Sequence, residues 1–123
     1  MLIIKYISFE DHQDFNDFEL QNDEYFNLAV NLLVGNELGS DIYYFDLVSD
    51  YRESSDIKVI EHNDIYFREK GIFVTKVFNK YSLFDFIKNL VEKNTYNKNS
   101  NEQSNNLSKY FHWEFDNYVP YID

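Results

Sequence analysis

Between positions 25 and 49 the chain alternates. Phe26, Leu28, Val30, Leu32 and Val34 fall on one side of an extended backbone, with Asn27 and Asn31 on the other. That is the two-residue period of a half-buried strand. Ile42, Tyr44, Phe45, Leu47 and Val48 mark a second strand over 41–49. Between them, Gly35-Asn36-Glu37-Leu38-Gly39-Ser40 predicts a turn whose glycines are available for positive φ, so 25–49 reads as an antiparallel hairpin. Residues 2–9 predict a strand with Leu2, Ile4 and Tyr6 on one face and Ile3, Ile7 and Phe9 on the other. Both faces are apolar, so both are expected to be covered. Gly71 opens Ile72-Phe73-Val74-Thr75-Lys76-Val77-Phe78, a further strand rich in β-branched residues. Ile57, Val59 and Ile60 suggest a short edge strand inside the ambiguous 50–69 stretch, and Asp64 to Lys70 is polar with Ile65, Tyr66 and Phe67 embedded. The His112 to Pro120 segment predicts a last strand, whose proline places its end at an edge or exit.

The period changes at Ser82. Leu83, Phe86, Ile87, Leu90 and Val91 form one helical stripe, and Ser82 with Asp85 resembles a capping box at its start. Residues 94–106 are Asn-rich and predict a mobile connection, with a second short helix over about 101–111 anchored by Leu107, Tyr110 and Phe111. The element order predicts an α+β fold: a two-layer sandwich of an antiparallel or mixed sheet of about five strands, with one or two helices packed on one face. At 123 residues, of which 44% are apolar and 20% aromatic, positions 1–123 are expected to form a single domain with one core. The 12 Phe and 11 Tyr give such a core large buried area at low rotamer cost.

Charge alters this picture because it is uneven. Residues 1–65 hold fifteen Asp and Glu against three Lys and Arg; residues 66–123 hold seven against eight. The halves sum, −12 and +1, to the net −11 of the whole chain. Positions 10–24 alone carry seven acids and no base, in what reads as a long surface loop with a helical turn, partly anchored by Phe15, Phe18 and Leu20. Acids recur at Asp50, Glu53, Asp56, Glu61 and Asp64. A solvated face is the ordinary reading of such runs. Their confinement to one half favours a negative patch around an exposed aromatic such as Tyr51, should the two excursions lie side by side. A patch of that sign repels nucleic acid and acidic membrane and speeds encounter with a basic partner.

Chemistry finds little support. With no cysteine, thiol nucleophiles, thiolate metal sites and disulfides are excluded. His12, His62 and His112 do not have metal-ligand spacing, and the acidic run fits no EF-hand register, since Asn16 or Phe18 falls where a glycine or a ligand is required. Phosphate-binding and nucleophile-elbow glycine motifs are absent. The carboxylates cluster in polar stretches, where paired environments of different pKa are not expected. Neither cofactor nor metal is expected. The N-terminal run lacks the features of a signal peptide, and no apolar stretch approaches the roughly 20 residues of a membrane span. A cytoplasmic protein is expected, a monomer or weak homodimer.

The C-terminal residues His112-Trp113-Glu114-Phe115-Asp116-Asn117-Tyr118 resemble the Trp-Glu-Phe-x-x-Tyr ending of the immunity protein 8 family of bacterial polymorphic toxin and contact-dependent inhibition systems. Phe26-Asn27-Leu28 to Gly35 is similar to that family's first long strand, and Gly39-Ser40-Asp41 into Tyr44-Phe45-Asp46-Leu47-Val48 to its next. Gly71-Ile72-Phe73-Val74 to Phe78 with the following helix resembles its later strand–helix unit, so the likeness spans about 2–118. The chain departs from the family pattern at Ser49-Asp50-Tyr51-Arg52 and in the Asn-rich 97–106. The resemblance implies a non-enzymatic antidote that binds a cognate toxin domain directly and non-covalently, with the toxin's activity open and a nuclease among the candidates. A basic toxin would meet the acids, so the candidate contact residues are Asp11, Asp14, Asp17, Glu19, Asp50, Tyr51, Glu53 and Asp56. Trp113 is expected in the core. Two other readings stand beside this one: an acidic DNA mimic from phage or plasmid that inhibits a nuclease, and a small enzyme using buried carboxylates.

Overall fold

A computed structural model describes residues 1–10, 13–20, 25–49, 58–59 and 65–115. The elements in chain order are β1 (Ile3–Phe9), β2 (Gln13–Asp14), β3 (Asn27–Asn36), β4 (Gly39–Ser49), β5 (Lys58–Val59), β6 (Ile65–Glu69), β7 (Ile72–Thr75), α1 (Lys80–Thr95), α2 (Ser100–Leu107) and β8 (His112–Trp113). The strands form one mixed sheet in the order β2-β1-β3-β4-β7-β6-β5, with β8 beside β4 off that path. Every pair is antiparallel except β4–β7. The expected two-layer α+β class therefore holds, with more strands than the sequence suggested. The excess comes from β2 and β6, where no strand was expected, and from the short edge strand β5.

The alternation of 25–49 forms the β3–β4 hairpin. Leu28, Val30, Leu32 and Val34 are buried, as are Tyr43, Phe45 and Leu47 beside them on β4. The turn differs in its physics from the expectation. Neither Gly35 nor Gly39 has positive φ; Gly35 is needed because a Cβ there would lie 2.1 Å from the Gly39 carbonyl oxygen. The turn's own Leu38 N–H is held by the Asn36 side chain at 2.8 Å.

The strand at β1 is corrected in its facing. A register shift between Ile4 and Tyr6 inserts Lys5 as a bulge. Ile4, Ile7 and Phe9 consequently pair with Val34, Leu32 and Val30 on the helix-covered face, and Ile3 and Tyr6 turn to the other. That second face is not covered over β1: Ile3 and Tyr6 are 49% and 46% exposed.

Helix α1 begins before Ser82. Asn79 is the N-cap, its side chain accepting from the Tyr81 and Ser82 N–H groups at 3.0 Å each. The predicted stripe of Leu83, Phe86, Ile87, Leu90 and Val91 is buried against the sheet. The Asn-rich stretch is ordered secondary structure rather than a mobile connection, because its asparagines do structural tasks. Asn94 and Asn106 bind the Leu90 and Asn94 carbonyls at 2.7 and 3.0 Å, and Asn97 takes a positive φ of 55° at the turn. Asn99 and Glu102 then form a capping box for α2. Leu107 and Phe111 enter the core, where the Phe111 ring contacts Tyr43, Phe45 and Phe73. The ambiguous stretch with Ile65, Tyr66 and Phe67 embedded resolves into strand β6, since Ile65 is buried and Phe67 packs on Phe73 and Tyr110. The predicted last strand is two residues long within the described chain, and Pro120 lies outside it.

Candidate docking surface

One end of the sheet carries the roots of both acidic excursions. Strand pairing puts the ends of β1, β4 and β7 beside the starts of β3 and β6: Phe9 faces Val30, Asn27 faces Val48, Ser49 faces Thr75 and Ile65 faces Thr75. At this end the Glu10 N–H donates to the Ala29 carbonyl at 2.8 Å. Phe26 N–H donates to Ser49 Oγ and Ser49 N–H to the Phe26 carbonyl, both at 2.9 Å. The flanks of positions 10–26 and of positions 49–65 are therefore neighbours.

The described part of the first excursion has the expected helical turn and aromatic anchors, and adds a short strand. β2 pairs with the end of β1, Ser8 opposite Asp14 and Phe9 opposite Gln13. A helical turn follows, with Asp17 and Phe18 N–H groups donating to the Asp14 carbonyl at 3.1 and 3.0 Å. Phe18 is buried, stacked 4.6 Å from Phe9, and Phe15 and Leu20 pack against the core. Lys80, the first residue of α1, donates from Nζ to the Phe15, Asn16 and Phe18 carbonyls at 2.9, 3.2 and 3.4 Å. An ammonium thus binds the described part of the loop through its backbone, without an ion pair to the described Asp14, Asp17 or Glu19.

Of the predicted contact residues, Asp14, Asp17 and Glu19 are described. Asp17 and Glu19 are exposed and Asp14 is half-buried. Asp11, Asp50, Tyr51, Glu53 and Asp56 lie outside the described residues, as do His12 and His62. The structure joins Asp14 and Asp17 around Tyr6, which the sequence reading did not single out. Partial desolvation raises the Tyr6 phenol above its usual pKa of 10.0; the Asp14 charge, a hydrogen bond to the Asp14 carboxylate and the Asp17 charge raise it further.

Also missed were Glu10 and Asp46. The Glu10 carboxylate accepts from Ala29 N–H at 3.3 Å, and Ala29 is the cross-strand partner of Asp46. The signal for Asp46 was present: it stands between the buried Phe45 and Leu47, so alternation puts it on the uncovered face.

The Trp-Glu-Phe segment is a structural clasp. Trp113 stacks on Tyr43 at 6.1 Å and joins the core margin, as expected. The Glu114 carboxylate accepts from Ile42 N–H, and Glu114 N–H donates to the Ile42 carbonyl, both at 3.0 Å. Phe115 packs edge-on against Trp113 at 5.2 Å. His112 lies 5.3 Å from the Tyr44 ring. Among the described residues, no three His, Asp or Glu are placed to hold a metal ion, and no helix is long and apolar enough to cross a membrane.

The family model described as Immunity protein 8 matches residues 2–118. No curated protein and no solved structure matches the chain.

Proposed function

The chain belongs to the immunity protein 8 family, whose name implies a protein directed against a toxin, and from that membership we propose that it neutralises a cognate toxin domain by direct, non-covalent contact. The protein acts as an inhibitor and not as an enzyme, inside the cell that makes it. Its partner is basic. The contact is made by the two acidic excursions, through Asp11, Asp14, Asp17, Glu19, Asp50, Tyr51, Glu53 and Asp56. The observation that carries this reading is the common root of the excursions at one end of the sheet, joined by the reciprocal Phe26–Ser49 bonds. Carboxylates spread over opposite ends would act mainly on solubility, whereas carboxylates gathered at one end produce a directed field. Lys80 supports the same reading, because it holds residues 15–18 through their carbonyls without pairing the described Asp14, Asp17 or Glu19. A nuclease toxin is one class with the required basic surface, since it must hold phosphates.

The test is binding of the full chain to the toxin domain encoded beside it, across a series of salt concentrations. Substituting Asp14, Asp17, Asp50 and Asp56 by Lys is expected to weaken binding by about tenfold or more and to flatten its salt dependence. Unchanged affinity and unchanged salt dependence would sink the acidic-excursion interface.

A further inference from the structure

The sheet has one face under the helices and one without them. On the second face, cross-strand pairing sets Tyr6, Leu33 and Ile42 in one row across β1, β3 and β4, and Ser8, Asn31 and Tyr44 in the next. Ile42 and Tyr44 are 43% and 42% exposed, close to the values for Ile3 and Tyr6. Ile3 and Tyr6 lie on β1 and Ile42 and Tyr44 on β4, and Leu33 of the intervening β3 joins Tyr6 to Ile42, so they belong to one apolar and aromatic surface rather than to scattered side chains. Other exposed large hydrophobics, such as Leu38 and Tyr96, sit singly on turns and helix ends.

Four acids border that surface. Asp14 lies beside Ser8, Asp17 acts on Tyr6, Asp46 projects from β4 next to Ala29, and Glu10 binds Ala29 from the strand end. The ammonium of the bulge residue Lys5 is committed to the Asn36 carbonyl at 2.6 Å. A second copy of this face would bring like charges together, and nucleic acid or an anionic membrane would be repelled. A protein surface combining Lys or Arg with apolar groups is the complementary occupant. Half-exposed tyrosines ringed by acids suit it, since Tyr and Arg dominate the central contacts of protein interfaces.

We infer that the toxin domain seats on this uncovered face of β1, β3 and β4, with Tyr6 and Tyr44 as its anchors and Glu10, Asp14, Asp17 and Asp46 as its charged rim. The inference rests on the immunity reading and extends it. Asp14 belongs both to the first excursion and to this face, so the excursions become the margin of the interface and the sheet its centre.

The experiment titrates the full chain with the toxin domain encoded beside it, while amide shifts of the isotope-labelled wild-type chain are followed. Shift changes on β1, β3 and β4 are expected. Tyr44→Ala should raise Kd by about tenfold or more, with Tyr96→Ala, at the far end of α1, as a control that changes it little. Circular dichroism and the thermal midpoint verify that each variant is folded, and the wild-type shift map needs no variant. Shift changes confined to the excursions, with Kd unchanged in Tyr44→Ala, would overturn the inference and leave the immunity reading standing. A wild-type chain that does not bind the toxin domain would overturn both. Sedimentation showing a wild-type dimer that Tyr44→Ala dissociates would assign the face to self-association and overturn the inference alone.

Discussion

The Lys80 ammonium donates to the Phe15 carbonyl at 2.9 Å and stands 5.3 Å from the centroid of the same residue's ring. A cation at the first residue of a helix works against the macrodipole. Here three loop carbonyls and two aromatic rings, Phe15 and Tyr81, surround it instead. The first turn of α1 and the acidic segment 13–20 are thereby one mechanical unit.

Lys80→Met keeps most of the side-chain stem and removes the donor. It is expected to cost about 1–3 kcal/mol, since a charged group's hydrogen bonds are lost and partly buried carbonyls are left without them. Thermal unfolding measures the loss, and hydrogen exchange should speed up at the Asp17 and Phe18 amides before it does in β3 or β4.

Gly71→Ala combines two penalties. Gly71 has φ +79°, and a Cβ there would lie 2.2 Å from His112 Nε2. Its N–H and carbonyl are fixed by Tyr110 and Asp46 at 2.8 Å each, so it cannot move away freely. The expected loss is about 2–4 kcal/mol, of which the clash is a part. A double-mutant cycle with His112→Ala separates the terms: Gly71→Ala should cost less in the His112→Ala background, while the backbone strain remains.

Asn99→Ala removes the side chain that accepts Glu102 N–H at 2.9 Å and breaks the capping box of α2. A loss of about 1 kcal/mol is expected in denaturant unfolding. Asn79→Ala should cost a similar amount at the start of α1, where the Asn79 side chain accepts from two N–H groups.

Tyr6 gives a pH signature. Its phenol is raised above 10.0, so the unfolded chain gives up this proton at lower pH than the folded one. The associated stability is complete below pH 10 and is lost as pH rises through the folded-state pKa. Ultraviolet titration of the wild type against Tyr6→Phe should show the missing tyrosine ionising later than an ordinary one. Asp14→Asn with Asp17→Asn should move it part of the way back, leaving the desolvation contribution.

The hairpin and the stripe of α1 were readable because one periodicity governed each. Leu28 to Val34 bury one face of a strand, and Leu83 to Val91 one face of a helix, so local pattern and tertiary burial agree. β1 was readable as a strand but not in its facing. Its apolar residues fall on both parities, and only the pairing with β3 reveals that Lys5 is a bulge. The Asn-rich stretch misled because composition does not distinguish a solvated linker from a series of caps and turns; Asn94, Asn97 and Asn99 act at backbone positions that only the folded chain defines. The parallel β4–β7 pairing depends on how the chain returns across positions 50–71, which no local signal encodes. For the candidate surface, Asp14 and Asp17 were visible as charge. Asp46 was legible from its alternation with Phe45 and Leu47 but was passed over, whereas Tyr6 and Tyr44 were not visible, because a face without helices shows itself only once the other face is packed.

The outer side of β4 is shared by two strands made far apart in the chain. β7 serves Asp46 to Ser49, and β8 serves Tyr43 and Tyr44, with Glu114 completing the ladder at Ile42 across 72 positions of sequence. During synthesis the longest strand of the sheet therefore waits, half of its border open, until residues 112–114 have left the ribosome. A chain interrupted before them presents that unpaired border to its neighbours, which makes residues 112–114 a safeguard on the protein's birth as well as a clasp on its core.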